Sequence, residues 1–409
     1  MCEKAAHQLF ITNTNELGEK KMNKMKSLVT ALAIAGATAI AGAASAATQG
    51  VSDTEVVVGS LNDLSGPFAA FGAPATKAAQ LYFDEINEAG GVHGRKIRFV
   101  VEDHGYQVPK AVQGVNKLVN RDKVFAMLLS LGTPHNIAAF KVLDKKGIPN
   151  VNPLTGARQM LQEPVKYKFA GTASYYDAVR AAIGYMVENE GSKNICAMYI
   201  PSDFGKEIQM AAVDESAARS LEFKAETTHK PDESDYVGAL GKLKEAGCDT
   251  IAIALSVRGA ITAIATAKKI GWTDAKFVGS SASFHTAIAK VPGGVTEGFF
   301  AGAGWQDLAS RATDPEVAAW IKSYTEATGE KFPGTGALLG RSAAEIFVKA
   351  LEAAGSDLTN DNFVAAMESL DFEDKIAGNQ VKVGENHIVS NEVFISKIVD
   401  GNWKVVGTR

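Results

Sequence analysis

Hydrophobic residues from Glu55 onward fall into short β-branched or apolar runs, separated by longer segments with helical spacing. Uninterrupted apolar runs of this length are typical of strands that are buried on both faces of a parallel sheet. Six such strands are predicted, over residues 56–58, 97–101, 125–129, 195–200, 251–255 and 276–279.

The segments between these strands predict amphipathic helices. The first, 74–89, begins at Pro74, places its apolar residues three and four positions apart, and stops at Gly90-Gly91, a common signal for a helix C-terminus. Strands alternating with helices indicate doubly wound α/β sheets, which bind ligands beyond the carboxyl ends of their strands. The remaining predicted helices cover 109–121, 134–146, 174–190, 204–220, 235–246 and 258–270.

The alternation ends after residue 314. Three helices in a row are predicted within 314–370, and the tail over 381–406 has the pattern of short strands. A length of 409 residues suits two domains of common size. Two identical α/β domains in tandem would not produce this irregular last third.

The first 46 residues have the layout of a secretory signal peptide. An uncharged run over 28–43 follows four lysines and ends in the small residues Ala44-Ser45-Ala46; the lysines are Lys20, Lys21, Lys24 and Lys26. Because Ala, Gly and Thr dominate the run, it is only weakly apolar, which favours cleavage after Ala46 over a membrane anchor. No Cys directly follows the run, so a freely diffusing periplasmic protein is expected rather than a lipid-attached one.

Composition agrees with a folded protein, since 46% of residues are hydrophobic and 22% are charged. Without the five lysines and three glutamates of residues 1–46, the 42 basic and 46 acidic residues leave a net charge of −6. An acidic surface argues against a nucleic-acid partner, and a monomer is expected. Cys196 and Cys248 each lie beside an apolar run, which favours buried thiols; a disulfide between them is the alternative in an oxidising compartment.

Several sequence blocks resemble one known family. They are Leu64-Ser65-Gly66-Pro67, Phe71-Gly72, the long block from Phe83-Asp84-Glu85-Ile86 through Gly90-Gly91-Val92-His93-Gly94 to Ile97, then Leu131-Gly132-Thr133-Pro134, Lys146-Gly147-Ile148-Pro149, Phe204-Gly205 and Gly298-Phe299-Phe300. In this order, they resemble the leucine/isoleucine/valine-binding proteins, which are periplasmic components of ABC importers for hydrophobic amino acids. The similarity extends over nearly the whole chain after the leader.

The resemblance implies two Rossmann-like lobes joined by three crossovers, with the ligand trapped as the lobes close. Transferred to this sequence, it assigns 52–173 and 305–388 to one lobe and 174–304 and 389–409 to the other. This interleaving accounts for the irregular last third of the chain. The partners it implies are a small molecule, either an organic acid or an amino acid, and an inner-membrane ABC permease; no cofactor or metal is expected.

A helix start after the third predicted strand is a candidate anion site. Thr133 at the N-cap with Pro134 behind it favours a helix there, and free amides with a positive dipole attract a carboxylate. Thr133 could also serve only as a cap. The resemblance implies that its hydroxyl holds the ligand carboxylate, together with the turn at Thr155 and Gly156, where Gly156 replaces a hydroxyl residue of the family.

Aromatic residues at three other helix starts are candidates for an apolar wall: Phe71, Tyr175 or Tyr176, and Phe204. Each by itself is better explained as a core residue than as a ligand contact. Facing one cleft from three helices, they favour a ligand pocket, which combines apolar walls with a few polar anchors.

One position departs from the family pattern. Where amino-acid-binding relatives place a Glu for the ligand ammonium, this chain has an uncharged segment with Ser281 at the matching position. Because a desolvated ammonium without an anionic partner is costly, an organic acid is favoured over a free amino acid. Asp177 and Glu207 are candidate substitutes, although their helical positions predict solvated surface residues. Arg258, which starts a helix, could meet a second carboxylate or be simply exposed.

An enzyme is the competing class of function. The seven His residues show no metal-ligand spacing, and the chain has neither a G-x-S-x-G elbow nor a phosphate-binding loop. The neighbouring residues Asp103 and His104 could form a catalytic pair, but a carboxylate beside a His at a strand end is more often a hydrogen-bonded loop pair. The sequence therefore favours a non-enzymatic binding protein over an enzyme or a receptor sensor domain.

Overall fold

The computed structural model describes residues 48–409. The predicted leader and its cleavage site fall outside the described residues. Within 48–409, the helices are all too short or too polar to cross a membrane.

The first sheet has five parallel strands in the order β2-β1-β3-β4-β5. Seven of the eight residues of β1, an interior strand, are buried, because helices cover both faces of the sheet. The strands are β1 (Glu55–Asn62), β2 (Lys96–Asp103), β3 (Ala126–Leu128), β4 (Asn150–Val151) and β5 (Lys168–Phe169). The helices between them are α1 (Ala69–Glu88), α2 (Val108–Asn120) and α3 (Thr133–Lys146).

The second sheet has seven strands in the order β14-β13-β10-β9-β8-β6-β7. Strands β6 to β10 are parallel, β13 pairs antiparallel with β10, and β14 pairs antiparallel with β13. The strands are β6 (Ile195–Tyr199), β7 (Phe223–Thr228), β8 (Thr250–Ala254), β9 (Lys276–Gly279), β10 (Phe300–Ala303), β13 (Phe394–Val399) and β14 (Asn402–Thr408). The helices are α4 (Tyr175–Asn189), α5 (Asp203–Ala218), α6 (Val237–Glu245), α7 (Val257–Lys269) and the short α8 (Thr286–Ala289).

The last third of the chain first returns to the five-stranded sheet. Its elements are α9 (Pro315–Thr328), α10 (Thr335–Ala354), α11 (Asn360–Glu368) and an antiparallel pair, β11 (Asp371–Asp374) and β12 (Asn379–Lys382). Phe347 of α10 and Phe363 of α11 pack against Phe83 of α1 and Phe125 at the entry to β3. The chain then crosses back to add β13 and β14 to the second sheet.

We call the five-stranded sheet with its helices the first lobe, and the seven-stranded sheet with its helices the second lobe. The predicted two-lobed α/β fold is confirmed, and so is the run of three helices after residue 314. The residue bounds of the lobes, 52–173 with 305–388 and 174–304 with 389–409, stay a prediction.

The start of α1 differs from the prediction. The helix begins at Ala69, five residues before Pro74, so Pro74 lies inside it. Proline cannot donate to the carbonyl four residues earlier, here that of Ala70. The freed carbonyl has another partner, described below.

Cys196 on β6 and Cys248 at the entry to β8 are disulfide-bonded, with their Cα atoms 5.9 Å apart. The buried-thiol interpretation is therefore wrong and the alternative is correct. Parallel pairing of β6 with β8 brings the two residues to neighbouring positions, which sequence spacing alone could not show.

Candidate functional site

A cavity lies between the lobes, at the carboxyl ends of the strands. Seven of the nine residues predicted to contact a ligand line it: Phe71, Thr133, Thr155, Gly156, Tyr175, Phe204 and Ser281. These residues come from both lobes, so the position agrees with ligand binding at the strand ends of doubly wound sheets.

The start of α3 presents Thr133 to this cavity. The N-cap is Gly132 with a φ of 96°, a conformation that glycine tolerates, so the prediction of Thr133 as the N-cap is wrong. Because Thr133 makes no capping bond, its Oγ1 is free to lie 2.7 Å from Oγ1 of Thr155. The amides of a first helical turn have no partner inside the helix. We call the two hydroxyls with the backbone amide of Gly156 the anion site.

The ring of Tyr175 explains why position 156 is a glycine. The Gly156 carbonyl accepts a hydrogen bond from the Tyr175 amide at 2.6 Å. A Cβ atom at position 156 would lie 3.0 Å from Cδ1 of the Tyr175 ring, which is tighter than normal contact. The aromatic ring therefore occupies the space that a hydroxyl side chain would need. Burial raises the pKa of Tyr175, which keeps its phenol protonated.

An aromatic wall forms one side of the cavity. The ring centroids of Phe68 and Tyr106 are 4.3 Å apart, and Phe204 meets both Phe68 and Tyr175 edge to face at 5.8 and 5.5 Å. The buried carboxylate of Asp63 accepts hydrogen bonds from the amides of Gly66 and Phe68, which fixes the loop that carries Phe68. The first lobe thus fixes the position of Phe68 by itself, and the contact with Phe204 joins the two lobes.

The cavity has no charged wall. Among the residues that the structure describes, those lining it include no Asp, Glu, Lys, Arg or His. Ser281, which the resemblance matches to an anchoring Glu, is 95% buried and lines this uncharged space. A carboxylate can use the anion site, whereas an ammonium meets no opposite charge in the lining.

Two predicted site residues lie elsewhere. Tyr176 is turned away from the cavity: its ring lies under the Arg158 guanidinium at 3.8 Å, and its hydroxyl donates to Asp214 at 2.7 Å. Arg258 is exposed at the start of α7 and does not line the cavity. Adjacent helical residues point in different directions, so only Tyr175 of the two tyrosines can face the ligand.

The two candidate substitutes for the missing Glu also lie outside the lining. Asp177 is exposed, as predicted, and its carboxylate accepts a hydrogen bond from the Ser174 hydroxyl. Glu207 is 97% buried, so the prediction of a solvated Glu207 is wrong. Its carboxylate is paired with Arg158 of the first lobe and is not available to a ligand.

Direct contacts join the two lobes beside the cavity. Nε2 of His285 lies 3.2 Å from the Ala70 carbonyl, which Pro74 leaves without its helical donor. Because Nδ1 of His285 accepts from the Ala287 amide, Nε2 is the protonated nitrogen and donates. Next to it, the Thr286 amide donates to Oγ1 of Thr335 at 2.9 Å. These bonds hold the structure with its lobes together over the cavity.

Asp103 and His104 do not form the loop pair that the sequence suggested. Asp103 accepts from Ser65 and from the Leu64 and Gly105 amides, while His104 bonds to Leu131 and Tyr106. Burial lowers the pKa of His104 to about 4, so the ring is neutral at pH 7. Each residue fixes loops around the cavity. Across residues 48–409, no cluster of three or more His, Cys, Asp or Glu is arranged to hold a metal.

Sequence reasoning missed part of the lining, notably Phe68, Tyr106, Asn152, Trp305, Asn379 and Ser390. Phe68 and Tyr106 follow directly after the carboxyl ends of β1 and β2, which is a signal that could have been used. Asn152 follows the carboxyl end of β4 in the same way, whereas Trp305, Asn379 and Ser390 come from a crossing segment and from the returning last third, whose position depends on tertiary packing.

A family model described as "Periplasmic binding protein" matches residues 55–402. The chain belongs to the periplasmic binding protein family. The matched range includes every strand of both sheets except β14, of which it reaches only Asn402, so the family assignment covers the cavity and its walls.

Individual relatives are distant. Leu/Ile/Val-binding protein homolog 8 of Brucella abortus is 22% identical over 347 residues, covering 81% of this chain and 85% of the relative. A solute-binding protein of an ABC transporter from R. palustris, solved with benzoate, has a TM-score of 0.77 at 20% identity and covers 87% of this chain and 96% of its own. A branched-chain amino acid ABC transporter protein from Thermus thermophilus, solved with valine, has a TM-score of 0.78 at 20% identity with the same coverages. These structural similarities show the fold.

Proposed function

We propose that this protein is the substrate-binding component of an ABC importer, and that it captures a small carboxylate with an apolar or aromatic body. The observation that carries the proposal is a cavity with an anion site and an aromatic wall but no charged side chain among the described residues that line it.

The anion site supports binding of a carboxylate. One of the two hydroxyls, Thr133 or Thr155, donates to the other, and the acceptor hydroxyl can direct its own proton to a ligand. The Gly156 amide and the first turn of α3 add N–H donors and a positive dipole. Hydrogen bonds to a charged acceptor are about twice as strong as neutral ones.

The uncharged wall disfavours a ligand ammonium. Burying an unpaired ammonium costs on the order of several kcal/mol, as it does for other ions. Ser281 supplies only a hydroxyl and cannot offset this cost. The alternative ligand is a branched-chain or other neutral amino acid. It is favoured by similarity to Leu/Ile/Val-binding relatives, but the paired state of Glu207 removes one of the two candidate anchors for an ammonium.

Capture would work by lobe closure. The cavity draws lining residues from both lobes, for example Thr133 from the first and Phe204 from the second. A ligand that contacts both lobes stabilises the closed state over the open one, which is the differential affinity that such a switch requires. The permease would then bind the closed protein.

The same proposal includes export with a cleaved signal peptide and a role in binding rather than catalysis. It is supported by the family assignment and by the layout of residues 1–46. Turnover of a bound acid would contradict it.

Calorimetry with matched ligands tests the proposal. Leucine and 4-methylpentanoate share a carboxylate and an apolar body, and they differ in the ammonium group. We expect 4-methylpentanoate to bind more tightly than leucine, with the aromatic acid benzoate as a further probe. Tight binding of leucine together with no binding of either acid would establish the amino-acid alternative.

A further inference from the structure

The cavity continues beyond the anion site into the first lobe. Its inner part, which we call the inner chamber, lies under α10 and beside β12. Apolar side chains form most of its wall: Leu339, Ala343 and Ile346 of α10, Val381 of β12, and Val389. The three α10 residues are three or four positions apart and therefore lie on one face of the helix.

The inner chamber ends on polar groups that have no partner. Besides Oδ1 of Asn152, which follows β4, three atoms of lining residues have no hydrogen-bond partner among the described residues: Oδ1 of Asn379, Oγ of Ser390 and Nε1 of Trp305. All three residues are at least nine-tenths buried, at 9%, 1% and 5% exposure. Buried polar atoms are nearly always hydrogen-bonded, so three orphans on one cavity wall indicate a missing partner.

The orientation of the Asn379 amide is fixed by the protein. Its Nδ2 donates to the Gly304 carbonyl at 2.6 Å, so the unpaired atom is the oxygen, an acceptor. Trp305 Nε1 is only a donor, and Ser390 Oγ can be either. A group that both donates and accepts, such as a hydroxyl, would match the three. Because no charged side chain is found among the described residues of the wall, that group should be neutral.

Sheet order separates this end from the anion site. Thr133 follows β3, whereas Ser390 follows Ile388, which pairs with Ala170 directly after β5. The order β3-β4-β5 followed by the segment at 388 corresponds to three strand spacings, roughly 14 Å. The side chains at both ends extend towards each other and shorten the gap between their polar groups. The remaining space fits a ligand with its two polar ends roughly 10 Å apart.

We propose that the inner chamber binds the far end of an elongated ligand: a carboxylate whose apolar body ends in a neutral hydroxyl. The carboxylate occupies the anion site, the body lies along α10, and the hydroxyl bonds to Asn379, Ser390 and Trp305. This inference rests on the function proposed above and specifies the class of substrate.

Three acids test the proposal by calorimetry on the purified protein after removal of any co-purified ligand. They are 8-hydroxyoctanoate, octanoate and the short 4-methylpentanoate. We expect 8-hydroxyoctanoate to bind at least about tenfold more tightly than octanoate, since a site built for a hydroxyl is left unpaired by the analogue without one. Equal affinities for the two eight-carbon acids would overturn the inner-chamber proposal.

Ser390→Ala tests the polar end of the inner chamber. It should reduce the preference for 8-hydroxyoctanoate over octanoate at least about threefold, without weakening the binding of octanoate, because the removed hydroxyl has no protein partner. Ser396→Ala is the matched control: Ser396 is equally buried, its Oγ is also unpaired, and it lies outside the cavity lining. An unchanged preference in Ser390→Ala would contradict the assigned hydroxyl site.

Ala343→Leu tests the apolar wall by filling the inner chamber. We expect it to weaken the binding of both eight-carbon acids at least about tenfold and to leave the affinity for 4-methylpentanoate within about twofold of wild type. Ala353→Leu, on the exposed face of α10, is the control and should change none of the three affinities. Equal weakening of all three acids would overturn the chamber assignment.

If wild type binds 4-methylpentanoate but neither longer acid, the inner chamber is rejected and the proposed function stands; binding of none of the acids rejects both.

Discussion

The guanidinium Nε of Arg158 lies 3.1 Å from both carboxylate oxygens of Glu207, and the two residues belong to different lobes. The Arg158 amide also donates to Glu207, at 3.3 Å. Glu207 is almost fully buried, while 42% of the Arg158 side chain is exposed. The pair therefore exists only while the lobes are together, and it stabilises the closed state.

Arg158→Gln should weaken ligand binding, because closure would then bury the Glu207 carboxylate without its cation. We expect a loss of about 1–2 kcal/mol in the free energy of binding, less than for a fully buried pair because Arg158 is half exposed. Calorimetry with 4-methylpentanoate measures it. Arg121→Gln removes an exposed arginine paired with Asp122 inside one lobe and should leave affinity unchanged. Equal effects of the two substitutions would show that no lobe contact was lost.

Thr133→Ala should weaken carboxylate binding by about 1–2 kcal/mol through loss of a charge-assisted hydrogen bond. Since the Thr133 hydroxyl does not cap α3, we expect a smaller change in the free energy of unfolding than in that of binding. Thermal unfolding and calorimetry on the same samples separate the two quantities. Thr325→Ala removes a hydroxyl from an exposed helical position and is the control. Unchanged affinity in Thr133→Ala would remove Thr133 from the anion site.

Ser281→Glu should shift the ligand preference from acids towards amino acids. The new carboxylate would face the cavity and supply the missing partner for an ammonium, so the leucine to 4-methylpentanoate affinity ratio should rise about tenfold or more, which corresponds to about 1.4 kcal/mol. Ser281→Gln adds the same bulk without charge and should leave the ratio near its original value. A rise of similar size in both variants would show that shape, and not charge, sets the preference.

Gly156→Ser should reduce affinity even though it adds a hydroxyl to the anion site. Its Cβ would be forced against the Tyr175 ring, at 3.0 Å in the present geometry, and would displace that ring from the aromatic wall. We expect a loss of about 1–3 kcal/mol, as for other overpacked sites. Gly238→Ser, at a helical glycine with open space around its missing Cβ, is the control. Calorimetric improvement in Gly156→Ser would mean that Tyr175 moves freely.

Folding stability should fall as pH decreases from 6.5 to 4. Burial lowers the pKa of His104, His135 and His285 to about 4, below the ordinary value of about 6.5. The unfolded chain therefore binds more protons in this interval, so stability is complete above pH 6.5 and is lost as pH falls towards 4. One pKa unit corresponds to about 1.4 kcal/mol, which gives each histidine a contribution of about 3 kcal/mol at most.

Urea unfolding between pH 8 and 4 measures this loss. His285→Gln should flatten the pH dependence, whereas His93→Gln, at an exposed histidine, should leave its slope unchanged. A wild-type midpoint that stays constant from pH 6.5 to 4.5 would contradict the prediction.

The sequence by itself determined the alternation of strands and helices, because hydrophobic periodicity is a local property of the chain. It also located Thr133 and Phe204, since helix starts are marked by local signals and bind ligands in this class of fold, whereas Thr155 was implied only by the family resemblance. The uncharged Ser281 gained its meaning from the same resemblance, which matches it to an anchoring Glu.

Tertiary structure decided everything that depends on residues distant in the chain. The choice between Tyr175 and Tyr176 followed from the direction of side chains on α4, and the burial of Glu207 followed from the approach of Arg158 across the lobes. The disulfide required the pairing of β6 with β8, and the inner chamber required α10 and β12 to return to the first lobe. Periodicity specifies which face of an element is apolar, but which partner covers that face is set by long-range packing.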